Sequence, residues 1–249
     1  MKYKVLVVIF LFAAVSVESQ QSFREKQQSY SRVKDAYENQ LEGIDNMLEA
    51  HDIDREDMDL FIVGFKQEKD LEVWAKNKSA EAFTKITSYD FCVLSGDLGP
   101  KRQQGDLQVP EGFYYINVYN PWSNFHLSMG LNYPNRSDRI LGVQGQLGGD
   151  IYIHGSCVSI GCIPITTRNI KQMYVMCVEA RNGGQERIPV HLFPARLNRG
   201  VRELLVEKND PDAETENLWQ DLQEAYDYFT EEKKIPRILF LNNGRHQIN

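Results

Sequence analysis

Past residue 17 the sequence has no long apolar run, which excludes a bundle of membrane spans. It has no excess of positive charge. Lys and Arg number 28 against 35 Asp and Glu, a net charge of −7, so a general nucleic-acid-binding surface is excluded. It has only four cysteines, Cys92, Cys157, Cys162 and Cys177. The C-x4-C spacing at 157 and 162 is not that of a zinc site and no second ligand pair exists, so no metal and no cofactor is expected. Internal repeats are absent, as is any linker long enough to mark an independent second domain. Nothing in the composition points to disorder, collagen or a disulfide-dense mini-protein.

What is present begins at the N-terminus. Lys2 and Lys4 precede thirteen mostly apolar residues, Val5–Val17, followed by Glu18, Ser19, Gln20 and Gln21. Thirteen residues at 1.5 Å each are too short for a hydrocarbon core of ~30 Å. The stretch reads as a cleaved secretory signal over residues 1–19, with small residues at 17 and 19 before the cut. No cysteine follows the run to carry a lipid anchor. The expectation is an exported protein of the periplasm or cell envelope, with no stable membrane span once the signal is removed. Four cysteines in an exported chain invite disulfides, and for Cys92, Cys157 and Cys177 the pairing stays open.

Residues 23–49 place Phe23, Tyr30, Val33, Tyr37, Leu41, Ile44 and Leu48 at helical spacing, predicting an amphipathic helix within an N-terminal segment 20–57. From residue 58 the period changes. Two β-prone runs flank polar turn residues 67–70, which predicts a hairpin. Short β-like segments continue at Phe91–Leu94, Gly112–Val118, Phe125–Met129 and Ile151–His154, separated by Gly- and Pro-rich turns. Residues 60–155 therefore read as a β-rich sandwich or barrel. A helix is expected over 166–180 with Thr167 as its cap, then a strand at 188–194. Helical sequence follows from 200, with Leu218, Trp219, Leu222, Ala225 and Phe229 as its stripe, and the last β-prone run is Ile238–Leu241. The fold class is mainly β with peripheral helices (α+β). A catalytic domain spans 58–197, and a C-terminal helical extension, 198–249, packs on it.

The densest chemical signal is IYIHGSCVSIGCIPIT at 151–166. It joins a His-Gly at a strand end, a Ser-x-Gly-Cys turn and a helix start. A cysteine that attacks an acyl carbon needs a nearby base, a rigid exposed turn and main-chain N–H groups facing the developing oxyanion. Cys162, His154 and the Gly161 turn have the residue types for those tasks, and an activated Cys162 is expected to alkylate faster than Cys92 or Cys177. Cys157, in the same loop, is a disulfide partner, a bystander or a rival nucleophile, and its lack of a Ser-x-Gly context favours the bystander. A papain-like protease is excluded, because its histidine lies far downstream of its cysteine.

The sequence resembles the L,D-transpeptidase catalytic (YkuD-like) family, in particular its short-loop periplasmic branch of YafK type. The resemblance rests on LGPKRQQGDLQVPEGFYYI at 98–116, FHLSMGLNYPNRSD at 125–138, IHGSCVSIGCIPIT at 153–166, GGQERIPVHLFPARL at 183–197 and LWQDLQEAYDYF at 218–229. It implies an L,D-transpeptidase-like β-sandwich with helical additions at both ends. It implies Cys162 as nucleophile, His154 as base and Gly155 as the residue that orients the base, with Ser159 and Gly161 shaping the oxyanion region. His126 and Tyr133 either line the substrate cleft or serve only their strand and turn. The implied partners are peptidoglycan stem peptides, and for a hydrolytic member the link between murein and an outer-membrane lipoprotein.

The chain departs from the family pattern at Ile160, where many members have His, at Pro164, where many have Arg or Asn, and in a shorter His-to-Cys gap. These changes leave specificity open rather than chemistry. Three functions remain: an L,D-transpeptidase, a hydrolase with the same Cys/His site, and a non-catalytic wall-binding protein on the same scaffold.

Overall fold

The structure, a computed structural model, describes residues 21–249; the stretch read as an export signal lies outside the described residues. Two helices open the described chain, α1 (Phe23–Gln28) and α2 (Ser31–Glu49). Ser22 caps α1 in a reciprocal capping box with Glu25, which fixes its start. The expected single helix thus breaks at Ser29–Tyr30, where Tyr30 turns to extended backbone before α2. Val33, Ala36, Tyr37, Ile44 and Leu48 form the buried stripe of α2.

The strands are β1 (Met58–Phe65), β2 (Asp70–Asn77), β3 (Thr84–Asp90), β4 (Gly112–Asn120), β5 (Ser128–Leu131), β6 (Tyr152–His154), β7 (Ile163–Pro164) and β8 (Pro189–Phe193). They join in one curled sheet of order β3-β2-β1-β8-β4-β5-β6-β7. β1 pairs with β8 in parallel, β6 pairs with β7 in parallel, and the other neighbours are antiparallel. The short helix α3 (Arg136–Leu141) follows β5, and α4 (Thr167–Asn182) joins β7 to β8. After β8 come α5 (Val201–Asn209), α6 (Ala213–Glu232) and the hairpin of β9 (Ile238–Phe240) with β10 (His246–Ile248).

β1 shows why helices cover the sheet on both faces. It is apolar along almost its whole length, and alternation sends successive side chains to opposite sides. Leu60 and Ile62 enter the core shared with α2 and α4, whereas Phe61, Val63 and Phe65 enter a second core with Leu218, Trp219, Leu222 and Phe229 of α6. The α+β class is as expected.

Polar anchors fasten the helices. Buried Glu179 of α4 accepts from Tyr37 (2.5 Å), Arg24 (2.6 Å) and Arg55 (2.7 Å), tying α1, α2 and the entry to β1 onto α4. On the other face, Glu111 pairs with buried Lys66 (3.0 Å) and accepts from Trp219 Nε1 (2.7 Å). Lys66 also donates to the carbonyls of Gly99 and Val109, holding the long 91–111 segment in place.

Three sequence expectations shift. The cap of α4 is Thr166, whose hydroxyl accepts from the Asn169 N–H; Thr167 is already the first helical residue. Phe91–Leu94 is not a strand, because β3 ends at Asp90 and Cys92 is drawn into a disulfide. The strand expected from Phe125 starts only at Ser128, because His126 has φ +77° in the preceding turn.

Candidate active site

The parallel pairing of β6 and β7 builds the centre of the site. Ile153 lies opposite Ile163 and His154 opposite Pro164, which puts Cys162, the residue before β7, level with Tyr152. Ile153 and Ile163 are fully buried on the core side. Alternation then sends Tyr152, His154 and Cys162 to the other side of the sheet. All three line one cavity of about 550 Å3, walled otherwise by Asn120, Trp122, Ser123, Asn124, Phe125, Ser128, Asp150 and the 158–160 turn.

His154 is held rigidly. It is only 2% exposed, its ring stacks on Phe125 (4.5 Å between centroids), and its Nδ1 lies 2.6 Å from the Gly155 carbonyl. A carbonyl can only accept, so Nδ1 carries the hydrogen and Nε2 keeps the lone pair. Burial holds the imidazole below its ordinary pKa, partly offset by the bond to Gly155. The resting ring is therefore neutral, with a free basic nitrogen. Gly155 is tightly packed: a Cβ there would lie 2.7 Å from the Phe125 carbonyl oxygen and 2.9 Å from Ile170 Cγ2, so a side chain forces its neighbours to shift.

Cys162 is a free thiol whose Sγ donates to the Asp150 carbonyl at 3.5 Å. Burial pushes the thiol above its ordinary pKa; a main-chain hydrogen bond from Tyr152 lowers it, Asp150 raises it and Lys101 lowers it. The resting pair is thus thiol and imidazole rather than a preformed ion pair, and the rapid alkylation expected of an activated Cys162 does not follow from this geometry. Ser159 shapes the turn around the sulfur. Its hydroxyl donates to the Cys162 carbonyl (2.8 Å) and accepts from the Gly161 N–H (3.1 Å), so the Ser95 hydroxyl, 3.2 Å away, donates to it. Gly161 sits at φ +130° with its Cα packed toward the Gln108 carbonyl, a conformation closed to other residues. Its N–H is engaged by the Ser159 hydroxyl.

The other loop cysteine is no bystander. Cys157 is bonded to Cys92, 65 residues earlier. The Cys92 N–H also donates to the Pro164 carbonyl (2.9 Å), so the segment after β3 is stapled to both sides of Cys162. Cys177 is fully buried in α4, and its thiol is pushed far up by burial.

Two residues expected at the cleft lie elsewhere. His126 is absent from the cavity walls; its ring sits among Lys171, Arg32 and Asp35, because the φ +77° turn rotates it toward α2 and α4. Tyr133 is buried behind the site, donating to the Leu147 carbonyl (3.2 Å) beneath the Lys101 ammonium. Conversely, sequence reading missed Trp122, Phe125, Asp150 and Tyr152. The wall carrying Trp122 and Phe125 is fixed from outside the main sheet. Arg32 of α2 donates to the carbonyls of Ser123 (2.6 Å) and His126 (2.8 Å), and Tyr30 packs edge-on against Trp122. The Asn-Pro-Trp turn at 120–122 was the one sequence sign of that wall, and the structure leaves Trp122 62% exposed there. Among the described residues, no group of three or more His, Cys, Asp or Glu could hold a metal, and no helix is long and apolar enough to cross a membrane.

A sheet carrying a thiol and an imidazole on neighbouring strand ends, enclosed by helices, defines the class. Residues 60–191 match the L,D-transpeptidase catalytic domain (YkuD) family model, and the chain belongs to that family. Among curated relatives, it is 32% identical to YafK of Escherichia coli (strain K12) over 192 residues, covering 76% of this chain and 74% of YafK. YafK of Escherichia coli O157:H7 gives the same figures. Among solved structures, it is similar to the helical cell shape determining protein Pgp2 from Campylobacter jejuni, at 19% identity and TM-score 0.44, covering 75% of this chain and 74% of Pgp2. Bd1075 of Bdellovibrio bacteriovorus follows at 20% identity and TM-score 0.38, covering 69% of this chain and 57% of Bd1075.

Proposed function

We propose that this protein is a cysteine acyltransferase acting on peptidoglycan stem peptides. The observation that carries the reading is one cavity lined by a free thiol, Cys162, and by a buried imidazole, His154, whose Nε2 lone pair is unengaged by its Nδ1 anchor. Family membership gives the substrate class.

The steps follow from the protonation states. Nε2 of His154 takes the Cys162 proton as sulfur attacks the peptide carbonyl, and a C–S bond forms. The amide C–N bond then breaks, and the imidazolium returns the proton to the leaving amine. The thioester is resolved by an amine, which makes a new peptide bond, or by water, which releases the acid. His154 deprotonates either acceptor as it attacks, the C–S bond breaks, and the imidazolium returns its proton to the Cys162 sulfur. Because the thiol is raised and the imidazole lowered, proton transfer accompanies attack instead of preceding it.

The Cys92–Cys157 bond supports an oxidising compartment, in keeping with export to the periplasm or cell envelope. The test uses the mature protein with tetrapeptide muropeptides and with lipoprotein-linked muropeptides, read by mass spectrometry. Crosslinked or amine-exchanged products identify the transpeptidase, and shortened or released products the hydrolase. Cys162→Ala is expected to abolish both. Unchanged muropeptides of both kinds would leave a binding protein on the same scaffold.

A further inference from the structure

The cavity's charge is lopsided. Among the described residues that line it, Asp150 is the only carboxylate, and no Lys or Arg is present. Asp150 is exposed and has no cation within ion-pair distance among the described residues. Its backbone sits at φ +59°, a conformation rare for a residue with a side chain, and its carbonyl receives the Cys162 thiol. The Tyr152 hydroxyl reaches its Oδ1 at 3.4 Å. The partly exposed rings of Trp122 and Phe125 line the same cavity. A carboxylate among aromatic faces in a cleft without cations is complementary to an ammonium group, through charge-assisted hydrogen bonding and cation–π attraction.

We propose that Asp150 binds a side-chain ammonium of the acyl donor, and that filling this subsite readies Cys162 for attack. The inference rests on the acyl-transfer reading above and names the residue that selects the donor. In the empty cleft a carboxylate stands on the same wall as the sulfur. Burial is the main cause that keeps the thiol protonated, and Asp150 adds to it, while Lys101, paired with Asp106 behind the loop, works weakly the other way. The other titratable walls are neutral: burial lowers His154, and burial chiefly, with Asp150 and Cys162 adding, raises the Tyr152 phenol. An incoming ammonium cancels the Asp150 charge as it docks, so a correct donor relieves the repulsion that a thiolate would meet. A donor lacking the cation gains neither the contact nor the relief.

The experiment compares two acyl donors: a tetrapeptide with diaminopimelate as third residue, and the same peptide with its side-chain amine acetylated. Release of the terminal alanine reports thioester formation whatever the acceptor. The wild-type protein is expected to prefer the free amine by about tenfold in kcat/KM, the scale of one hydrogen bond to a charged group. Asp150→Asn, chosen because Asn tolerates positive φ, should bring the ratio near 1, and Asp150→Glu should restore part of the preference. Alkylation of Cys162 in Asp150→Asn should move to lower pH, a change that a merely structural role would not produce. An unchanged ratio in Asp150→Asn, or no preference in the wild type, overturns the proposal. If neither peptide releases alanine, the acyl-transfer reading fails by itself. Calorimetric binding of both peptides to Cys162→Ala then decides the subsite: tighter binding of the free amine, lost in Cys162→Ala/Asp150→Asn, supports it, and equal binding overturns it.

Discussion

Gly155→Ala is the sharpest perturbation of the site, because one added carbon meets two atoms that cannot easily yield. The new Cβ would lie 2.7 Å from the Phe125 carbonyl oxygen and 2.9 Å from Ile170 Cγ2. Favourable non-bonded carbon contacts begin near ~3.5 Å, so the strand end must move by roughly half an ångström. Ile170 is fully buried in α4, and the Phe125 turn is held by Arg32, so neither partner is free to retreat. Overpacking of this kind costs about 2 kcal/mol. For a chain of 249 residues that is a fall of about 4 °C in Tm. The functional loss should be larger than the stability loss. The Gly155 carbonyl anchors Nδ1 of His154 at 2.6 Å, and displacing the base by a fraction of an ångström should lower kcat/KM by ten- to a hundredfold. Thermal melting and the alanine-release assay measure the two effects. Gly43→Ala is the control. It adds a methyl where nothing lies within 4 Å, in the exposed middle of α2, and should be neutral or stabilise by up to ~1 kcal/mol. A Gly155→Ala protein that melts within a degree of wild type and turns over normally would refute the steric reasoning.

Other outcomes follow from packing and charge. Replacing both Cys92 and Cys157 by serine opens a 65-residue loop, and chain entropy then predicts a loss of about 4 kcal/mol, seen as a Tm lower by about 8 °C. A shift under 2 °C would mean that the 91–111 segment is held by Lys66 and Glu111 alone. His191 is buried against Phe61 and Phe113, and burial chiefly, with His246 adding, lowers its pKa to about 3. Its folded value lies below the unfolded one, so only the unfolded chain takes up the proton between those values. Stability should therefore fall as the pH drops below ~6.5, by roughly 3 kcal/mol at pH 4. His191→Phe should flatten that limb of a pH-dependent denaturation series, and an unaltered slope would assign the acid sensitivity elsewhere. Arg32→Ala removes two charge-assisted hydrogen bonds to the 123–126 turn. Amide exchange across that turn should quicken by about tenfold or more, while β1 and α4 stay protected.

What sequence reading captured was local. The β1–β2 hairpin, α4 and α6 each announce themselves by periodicity and turn residues within a short window. His154 and Cys162 are eight residues apart; the strand-turn-helix pattern offered the pair, and the five-segment family resemblance selected it. What it missed is non-local. No pattern in 60–155 says that β8, from residues 189–193, will insert between β1 and β4. The Cys92–Cys157 bond spans 65 residues, and a local argument from context favoured leaving Cys157 unpaired. Asp150 was read only as part of a glycine-rich turn, because its importance comes from a main-chain twist that brings its carbonyl to the sulfur. His126 and Tyr133 sit in the right segments, but backbone direction turns their side chains away from the cleft.

The grip of Arg32 on the 123–126 turn also bears on how such a protein is divided. The family match starts at residue 60, yet the residue steadying one bank of the cleft belongs to a helix that ends at Glu49. A trimmed version cut at the family boundary would keep the sulfur and the imidazole but lose the brace behind Trp122 and Phe125. The helix ahead of the family-matched region thus forms part of one jaw of the cleft, and a substitution at Arg32 would reach the Trp122 and Phe125 wall without touching Cys162 or His154.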